Sequence, residues 1–301
     1  VRSITADTRI YGVVGDPVGH SYSPILHNHM YLRTKTNALY LPFRVPRGGL
    51  DEAIKALECV PVDGYSVTIP HKEAAADLAK EKEPFVHLSG AANTLVRRPD
   101  GTYFAANTDY AAAVDSLRNH LIERTTEGAP PEIAQLAILI LGSGGVARAI
   151  AHALHREGAN LTITARTHEK AMRLAEEVHC KVVDWHARNA HRCDVVINCT
   201  PIGMHPNVDA MPVHISMLLP GMTVFDTVYT PETTMLIREA KARGCHVITG
   251  VDMFVRQAAR QFELFTGKAP DIDKMRQIMR KALSPLSRAL EEEAAEAAGS
   301  E

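Results

Sequence analysis

The stretch Ala137-Ile138-Leu139-Ile140-Leu141 runs straight into Gly142-Ser143-Gly144-Gly145-Val146-Ala147. No other feature of this chain narrows its fold so far. An unbroken apolar strand is buried on both faces, which calls for a sheet with helices above and below. Glycines after the strand permit a tight turn and let backbone approach a pyrophosphate, whose charge then meets a helix N-terminus. The spacing is GxGGxA, so Ala147 takes the small, close-packing position. A purely structural strand-to-helix turn is the other reading of this motif taken alone.

The following strand, Leu161 to Thr164, ends in Ala165-Arg166-Thr167, with Lys170 one helical turn beyond. In a dinucleotide-binding unit that uses NAD, this strand end carries Asp or Glu for the ribose 2′-hydroxyl. An Arg backed by a Lys suits a 2′-phosphate, because guanidinium offers planar, charge-assisted bonds to its oxygens. Simple solvation of both cations is the alternative. Read together with the glycine turn, the pattern favours NADP over NAD.

Strand and helix signals alternate along most of the 301 residues, a length that suits two domains. Strands are expected at Ile10–Val14, Ala38–Phe43 and Gly64–Thr68. Helices are expected from about Pro24 and over Leu50–Leu57. Thr94–Arg97 and Tyr103–Ala105 read as a hairpin around Pro99-Asp100-Gly101. A helix follows from about Thr108, then a polar Pro/Gly-rich loop over 123–131. Beyond it, further strands are expected near Val195–Asn198, Thr223–Phe225 and His246–Ile248, and helix from Gly250 onward. The chain ends in a polar Ala/Glu tail at 286–301, to which no role is assigned.

A formal charge of −2 gives no general attraction to nucleic acid or to an anionic membrane. No apolar run approaches the roughly 20 residues that span a bilayer, and the N-terminus lacks the pattern of a secretory signal. Five scattered cysteines and no Cys/His cluster point to reduced thiols in a cytoplasm and to no metal site. The first residue is Val1, which leaves open whether this is a piece of a longer polypeptide.

Polar side chains gather at the ends of the first strands: Ser21 and Ser23 where a helix begins, Thr68 and Lys72 after the third strand, Asn93 and Asp109 on either side of the hairpin. Loops at the carboxyl ends of parallel strands are where such folds bind ligands. One of the two serines is expected to serve as a helix N-cap. Lys72 and Asp109 suit a carbonyl reduction, since hydride arriving at a carbonyl leaves an alkoxide that needs a proton and a nearby positive charge. An ordinary ion pair is the alternative reading of those two residues by themselves.

The runs GDPVGHSYSP at 15–24, SVTIPHK at 66–72, GAANT at 90–94 and NTD at 107–109 resemble the shikimate dehydrogenase family. So do GSGGVARA at 142–149, NCTPIGM at 198–204, DTVYTPETT at 226–234 and GVDMFVRQA at 250–258, in the expected order. The resemblance implies an α/β fold of two domains with a cleft between them. One would be an N-terminal α/β substrate domain (1–110 with 252–285), the other a Rossmann-like, doubly wound NADP-binding domain (111–251). It implies reversible, NADP-dependent reduction of 3-dehydroshikimate to shikimate by a monomer or homodimer.

By the same resemblance Lys72 and Asp109 are the catalytic pair, and Ser21, Ser23, Thr68, Asn93, Tyr229 and Gln257 contact substrate. Gly142, Ser143, Gly144, Gly145 and Val146 cradle the pyrophosphate, Arg166, Thr167 and Lys170 surround the adenosine phosphate, and Thr200, Gly250 and Met253 lie on the nicotinamide side. Ala165 departs from the pattern, standing where an Asn commonly precedes the Arg, and so do Ala106, Tyr110 and Ala112 around the NTD run. A quinate dehydrogenase, a dehydrogenase of folate one-carbon units and a non-catalytic ligand sensor share this architecture and stay open as readings.

Overall fold

The computed structural model describes residues 4–60, 62–125 and 127–284; the polar tail at 286–301 lies outside them. Two compact units divide the chain, residues 1–108 with 258–301 and residues 109–257.

The first unit is built on a six-stranded sheet. Its strands are β1 (Arg9–Gly15), β2 (Ala38–Arg44), β3 (Val62–Val67), β4 (Glu81–Lys82), β5 (Thr94–Arg97) and β6 (Tyr103–Ala106), in the order β2-β1-β3-β5-β6-β4. β1 runs parallel to β2 and β3, whereas β5 pairs antiparallel with both β3 and β6. The sheet is therefore mixed, because the hairpin expected around Asp100 is inserted beside β3. The helices of the first half are α1 (Ser23–Arg33), α2 (Leu50–Ala56), α3 (Lys72–Leu78) and α4 (Pro84–Ser89). One core gathers Val14, Leu50, Ile54, Tyr65, Val67 and Leu95. Removing each such side chain from water contributes about 1.5–3 kcal/mol.

The start of α1 differs from the serine cap that the sequence leads one to expect. Neither serine caps α1: the N-cap is Tyr22, with no side-chain hydrogen bond, and the Ser23 amide instead donates to Ser21 Oγ at 3.3 Å. Pro24 in the first turn has no N–H to offer, so the Ser21 hydroxyl closes a local turn ahead of the helix.

The second unit starts in α5 (Thr108–Arg124) and carries β7 (Ala137–Leu141), α6 (Gly145–Arg156), β8 (Asn160–Thr164), α7 (His168–Glu177) and β9 (Lys181–Val182). Next come β10 (Val195–Asn198), β11 (Thr223–Asp226), α8 (Met235–Ala242) and β12 (His246–Ile248). All its strands are parallel, in the order β12-β11-β10-β7-β8-β9. That is a doubly wound sheet whose strand order reverses between β7 and β10, the place where such folds take ligands. Alternate residues of β7 enter different cores. Ile138 and Ile140 pack with Ala147, Ile150 and Leu161, while Leu139 and Leu141 pack with Val196, Leu218 and Leu236. An apolar residue at every position is thus what burial on both faces demands.

The chain leaves the second unit along α9 (Gly250–Thr266) and ends its described part in α10 (Ile272–Ala282). Within the first unit Phe262 and Phe265 are buried, and Tyr11 Oη donates to the Phe265 carbonyl at 2.6 Å. Among the described residues no helix is long and apolar enough to cross a membrane, and no group of His, Cys, Asp and Glu could hold a metal ion.

Candidate active site

In the second unit the glycine turn sits at the carboxyl end of β7. Gly142 has φ +115°, and a Cβ there would stand 3.0 Å from the Cys199 carbonyl oxygen, so only glycine fits without strain. Gly144 is the N-cap of α6, and Gly144 and Gly145 are exposed, with no side chain to hold a phosphate away from the helix N-terminus. Ala147, one turn on, is fully buried against the sheet. At the end of β8, Arg166, Thr167 and Lys170 are all exposed around the start of α7. Thr164 and Ala165 precede them, so the strand itself ends without a carboxylate, and Glu169 is exposed beside Lys170 in the first turn of α7. Such a donor set fits a dinucleotide carrying a 2′-phosphate.

Across the switch point, Asn198 ends β10 and Asp226 ends β11. Asn198 Nδ2 donates to Asp226 Oδ1 at 2.9 Å, and Asn198 Oδ1 accepts from the Thr200 amide at 3.0 Å and from Thr200 Oγ1 at 2.6 Å. The Asp226 carboxylate also accepts from the Val228 amide at 3.1 Å and from Thr234 Oγ1 at 2.6 Å. Complete burial pushes its pKa up to about 6, against the lowering effect of these bonds. Tyr229 follows on the same loop and packs on Phe254, ring centroids 4.9 Å apart. Gly250 and Met253 lie on the first turn of α9, and Gln257, 8% exposed, two turns along it.

In the first unit three chain segments converge. The Val67 amide donates to the Asn93 carbonyl at 2.7 Å, and the Ala92 amide donates to the Lys72 carbonyl at 2.8 Å. Thr68 and Lys72, both half-buried, are thereby brought to the buried Asn93. The Thr68 amide bonds the Val14 carbonyl at 3.0 Å and the Asp16 amide bonds the Ile69 carbonyl at 2.9 Å. These bonds hold the loop leading to Ser21 and Ser23 beside the same strand end. The Asn93 side chain donates to Thr108 Oγ1 at 2.9 Å, while its Oδ1 accepts from the Thr108 amide at 2.9 Å. Asp109, the next residue along the chain, is buried in the second unit.

Two buried polar side chains of the first unit carry no functional reading in the sequence. Gln261 of α9 donates to the Asn93 carbonyl at 3.0 Å and to Thr94 Oγ1 at 3.1 Å, and accepts from Ser66 Oγ at 2.8 Å. His27 is wholly buried against Tyr40, rings 4.4 Å apart and nearly parallel, and burial drives its pKa down to about 3. Neither has a local signal, since a Gln on a helix and a His among apolar residues are ordinary. Asn198 and Asp226 lie within the runs NCTPIGM and DTVYTPETT, but no sequence rule pairs them.

A doubly wound unit with a cationic ribose end, joined to a unit rich in buried hydroxyls and amides, defines a dinucleotide-dependent oxidoreductase of small polar substrates. Residues 13–95 match the shikimate dehydrogenase substrate binding domain, residues 250–280 the shikimate 5′-dehydrogenase C-terminal domain, and residues 137–227 a family described as NADP oxidoreductase, coenzyme F420-dependent. Over 282 residues the chain is 36% identical to a shikimate dehydrogenase (NADP(+)) of Bacillus mycoides, covering 91% of this chain and 99% of that one. It is 37% identical over 288 residues to the chloroplastic bifunctional 3-dehydroquinate dehydratase/shikimate dehydrogenase of Arabidopsis thaliana. That match takes in 93% of this chain and 47% of the relative, so the chain spans about half of the bifunctional protein. The solved shikimate 5-dehydrogenase of Thermus thermophilus, in complex with NADP(H) and shikimate, superposes with a TM-score of 0.80 at 31% identity. It covers 91% of this chain and 99% of the solved one. The chain belongs to the shikimate dehydrogenase family.

Proposed function

We propose that this chain catalyses the reversible, NADP-dependent reduction of 3-dehydroshikimate to shikimate. The residues at 1–110 and 252–285 serve chiefly the substrate, and those at 111–251 chiefly the cofactor, with Tyr229 and Met253 as exceptions. The observation that carries the reading is the pairing of backbone at 67 with 93 and at 72 with 92. It gathers an ammonium, a hydroxyl and a buried amide at one strand end, a set suited to a ring bearing hydroxyls and a carboxylate.

NADPH, when bound, supplies the hydride. Gly142, Ser143, Gly144, Gly145 and Val146 would hold its pyrophosphate and Arg166, Thr167 and Lys170 its 2′-phosphate, with Thr200, Gly250 and Met253 on the nicotinamide side. Lys72 Nζ gives a proton to the carbonyl oxygen as it becomes a hydroxyl, and its charge stabilises the developing alkoxide. Asp109 is the second member of the proposed catalytic pair. Ser21 and Ser23 take the substrate carboxylate, and Thr68, Asn93, Tyr229 and Gln257 the ring hydroxyls. A polar site of this kind rejects an analogue lacking a hydroxyl, because its own buried groups would be left unpaired. Five free thiols fit a cytoplasmic location.

The test is NADPH consumption with 3-dehydroshikimate, compared with NADH and with dehydroquinate. Turnover is expected with NADPH and 3-dehydroshikimate. No turnover of that pair by folded protein overturns the assignment, and equal efficiency with NADH removes the cofactor preference.

A further inference from the structure

The Asp226 carboxylate is wholly buried at the carboxyl end of β11, beside the glycine turn's strand neighbour β10. A buried carboxylate is costly unless every lone pair is used, and an apolar residue would fill the same place in the sheet without that cost. Its three donors are the Asn198 amide group, the Val228 backbone and the Thr234 hydroxyl. All three belong to the ends or loops of β10 and β11, and none is needed for strand pairing.

Those bonds reach further. Asn198 passes the restraint to Thr200 through two bonds to its Oδ1, and its carbonyl accepts from the Thr227 amide at 3.0 Å and from Thr227 Oγ1 at 2.8 Å. The His205 amide donates to the Thr230 carbonyl at 3.2 Å, tying the two loops again further out. A Cβ on Gly250 would stand 2.4 Å from the Val228 carbonyl oxygen, so the start of α9 abuts this same backbone. Thr234 in turn caps α8, accepting from the Ile237 amide at 3.2 Å.

We propose that Asp226 is a positioning residue for the reaction. Through Asn198 and Thr234 it locks the loops at 198–204 and 226–234, and so sets the places of Thr200, Tyr229 and the first turn of α9. The proposal rests on the proposed function for the roles of Thr200 and Tyr229. The lock itself is a matter of bonds within the second unit. A buried network of hydrogen bonds rigidifies the segments that share it, and a displacement of about 1 Å at a reacting centre costs on the order of a hundredfold in rate.

The experiment compares Asp226→Asn, Thr234→Val and Thr234→Ser in the full chain. We expect kcat to fall about tenfold or more in the first two. Affinity for 2′,5′-ADP, which probes only the adenosine end, should stay within about twofold, and Thr234→Ser should recover most of the rate. By hydrogen exchange, amides at 199–204 and 227–230 should open faster in Asp226→Asn while those of β7 keep their protection. A kcat within about threefold of the parent in both Asp226→Asn and Thr234→Val overturns the proposal. So does loss of 2′,5′-ADP binding in step with the rate, or a Thr234→Ser variant no better than Thr234→Val. If the parent chain fails to turn over 3-dehydroshikimate, the activity assignment falls, while the exchange measurement still decides whether the lock exists.

Discussion

Gln261 Nε2 donates to the backbone carbonyl of Asn93 at 3.0 Å, joining residues 168 positions apart in the chain. The same side chain accepts from Ser66 Oγ, so one glutamine ties α9 to β3 and to the start of β5. Replacing it with Met keeps the volume but leaves the buried Ser66 hydroxyl without its acceptor. A loss of about 2–3 kcal/mol is expected, read as a lower urea midpoint at unchanged slope. A change below about 0.5 kcal/mol would mean that this bond is not holding the helix.

Lys72→Ala should lower kcat by about a hundredfold or more with little change in KM, since the proposed proton donor would act on charge that appears only in the transition state. Asp109→Asn should lower kcat too, by a smaller factor. Steady-state kinetics with 3-dehydroshikimate check both, and near-normal turnover by the Lys72 variant would remove it from the chemistry.

Arg166→Ala should raise KM for NADPH by roughly 10- to 100-fold, the worth of one charge-assisted contact. KM for NADH, which lacks the 2′-phosphate, should hardly move. An equal rise for both cofactors would show that Arg166 is not reading the phosphate.

Gly142 and Gly144 make a matched pair. Ala at 142 would have to hold φ near +115° with its Cβ 3.0 Å from a carbonyl oxygen, whereas a Cβ at 144 meets nothing within 4 Å. Thermal unfolding should show Gly142→Ala destabilised by about 1–3 kcal/mol and Gly144→Ala nearly unaffected. NADPH affinity should drop in both. Equal stability of the two variants would contradict the strain at 142.

His27 and Asp226 give opposite slopes to stability against pH. His27 is held neutral, its pKa about 3 in the fold against an ordinary 6.5, and neither ring nitrogen has a hydrogen-bond partner among the described residues. The unfolded chain binds the extra proton, so the stability present above pH 6.5 is lost as pH falls toward 3, by up to about 5 kcal/mol. Asp226, raised from 3.8 to about 6, makes the fold bind the extra proton, and stability falls as pH rises across that window by up to about 3 kcal/mol. Urea midpoints at several pH values should show His27→Phe more acid-resistant than the parent. Asp226→Asn should lose the fall between pH 4 and 6. Parallel pH curves for parent and His27→Phe would count against a buried neutral imidazole.

What the amino-acid order determined by itself was local. The five apolar residues of β7, the glycines after them and the cation-bearing end of β8 each express a rule that acts over a few neighbours: two-sided burial, a positive φ, a charge at a helix start. The hairpin at 94–106 belongs with them, since its turn lies between its strands. The two-residue strands Glu81–Lys82 and Lys181–Val182 gave no such signal, because two residues are too few to show a period. Tertiary structure alone decided that β5 lies antiparallel beside β3, that Gln261 meets Asn93, and that Asp226 gathers donors from residues 198 and 234. Each of those bonds joins segments whose spacing along the chain carries no energy of its own. It forms only because burial leaves a polar group nowhere else to find a partner.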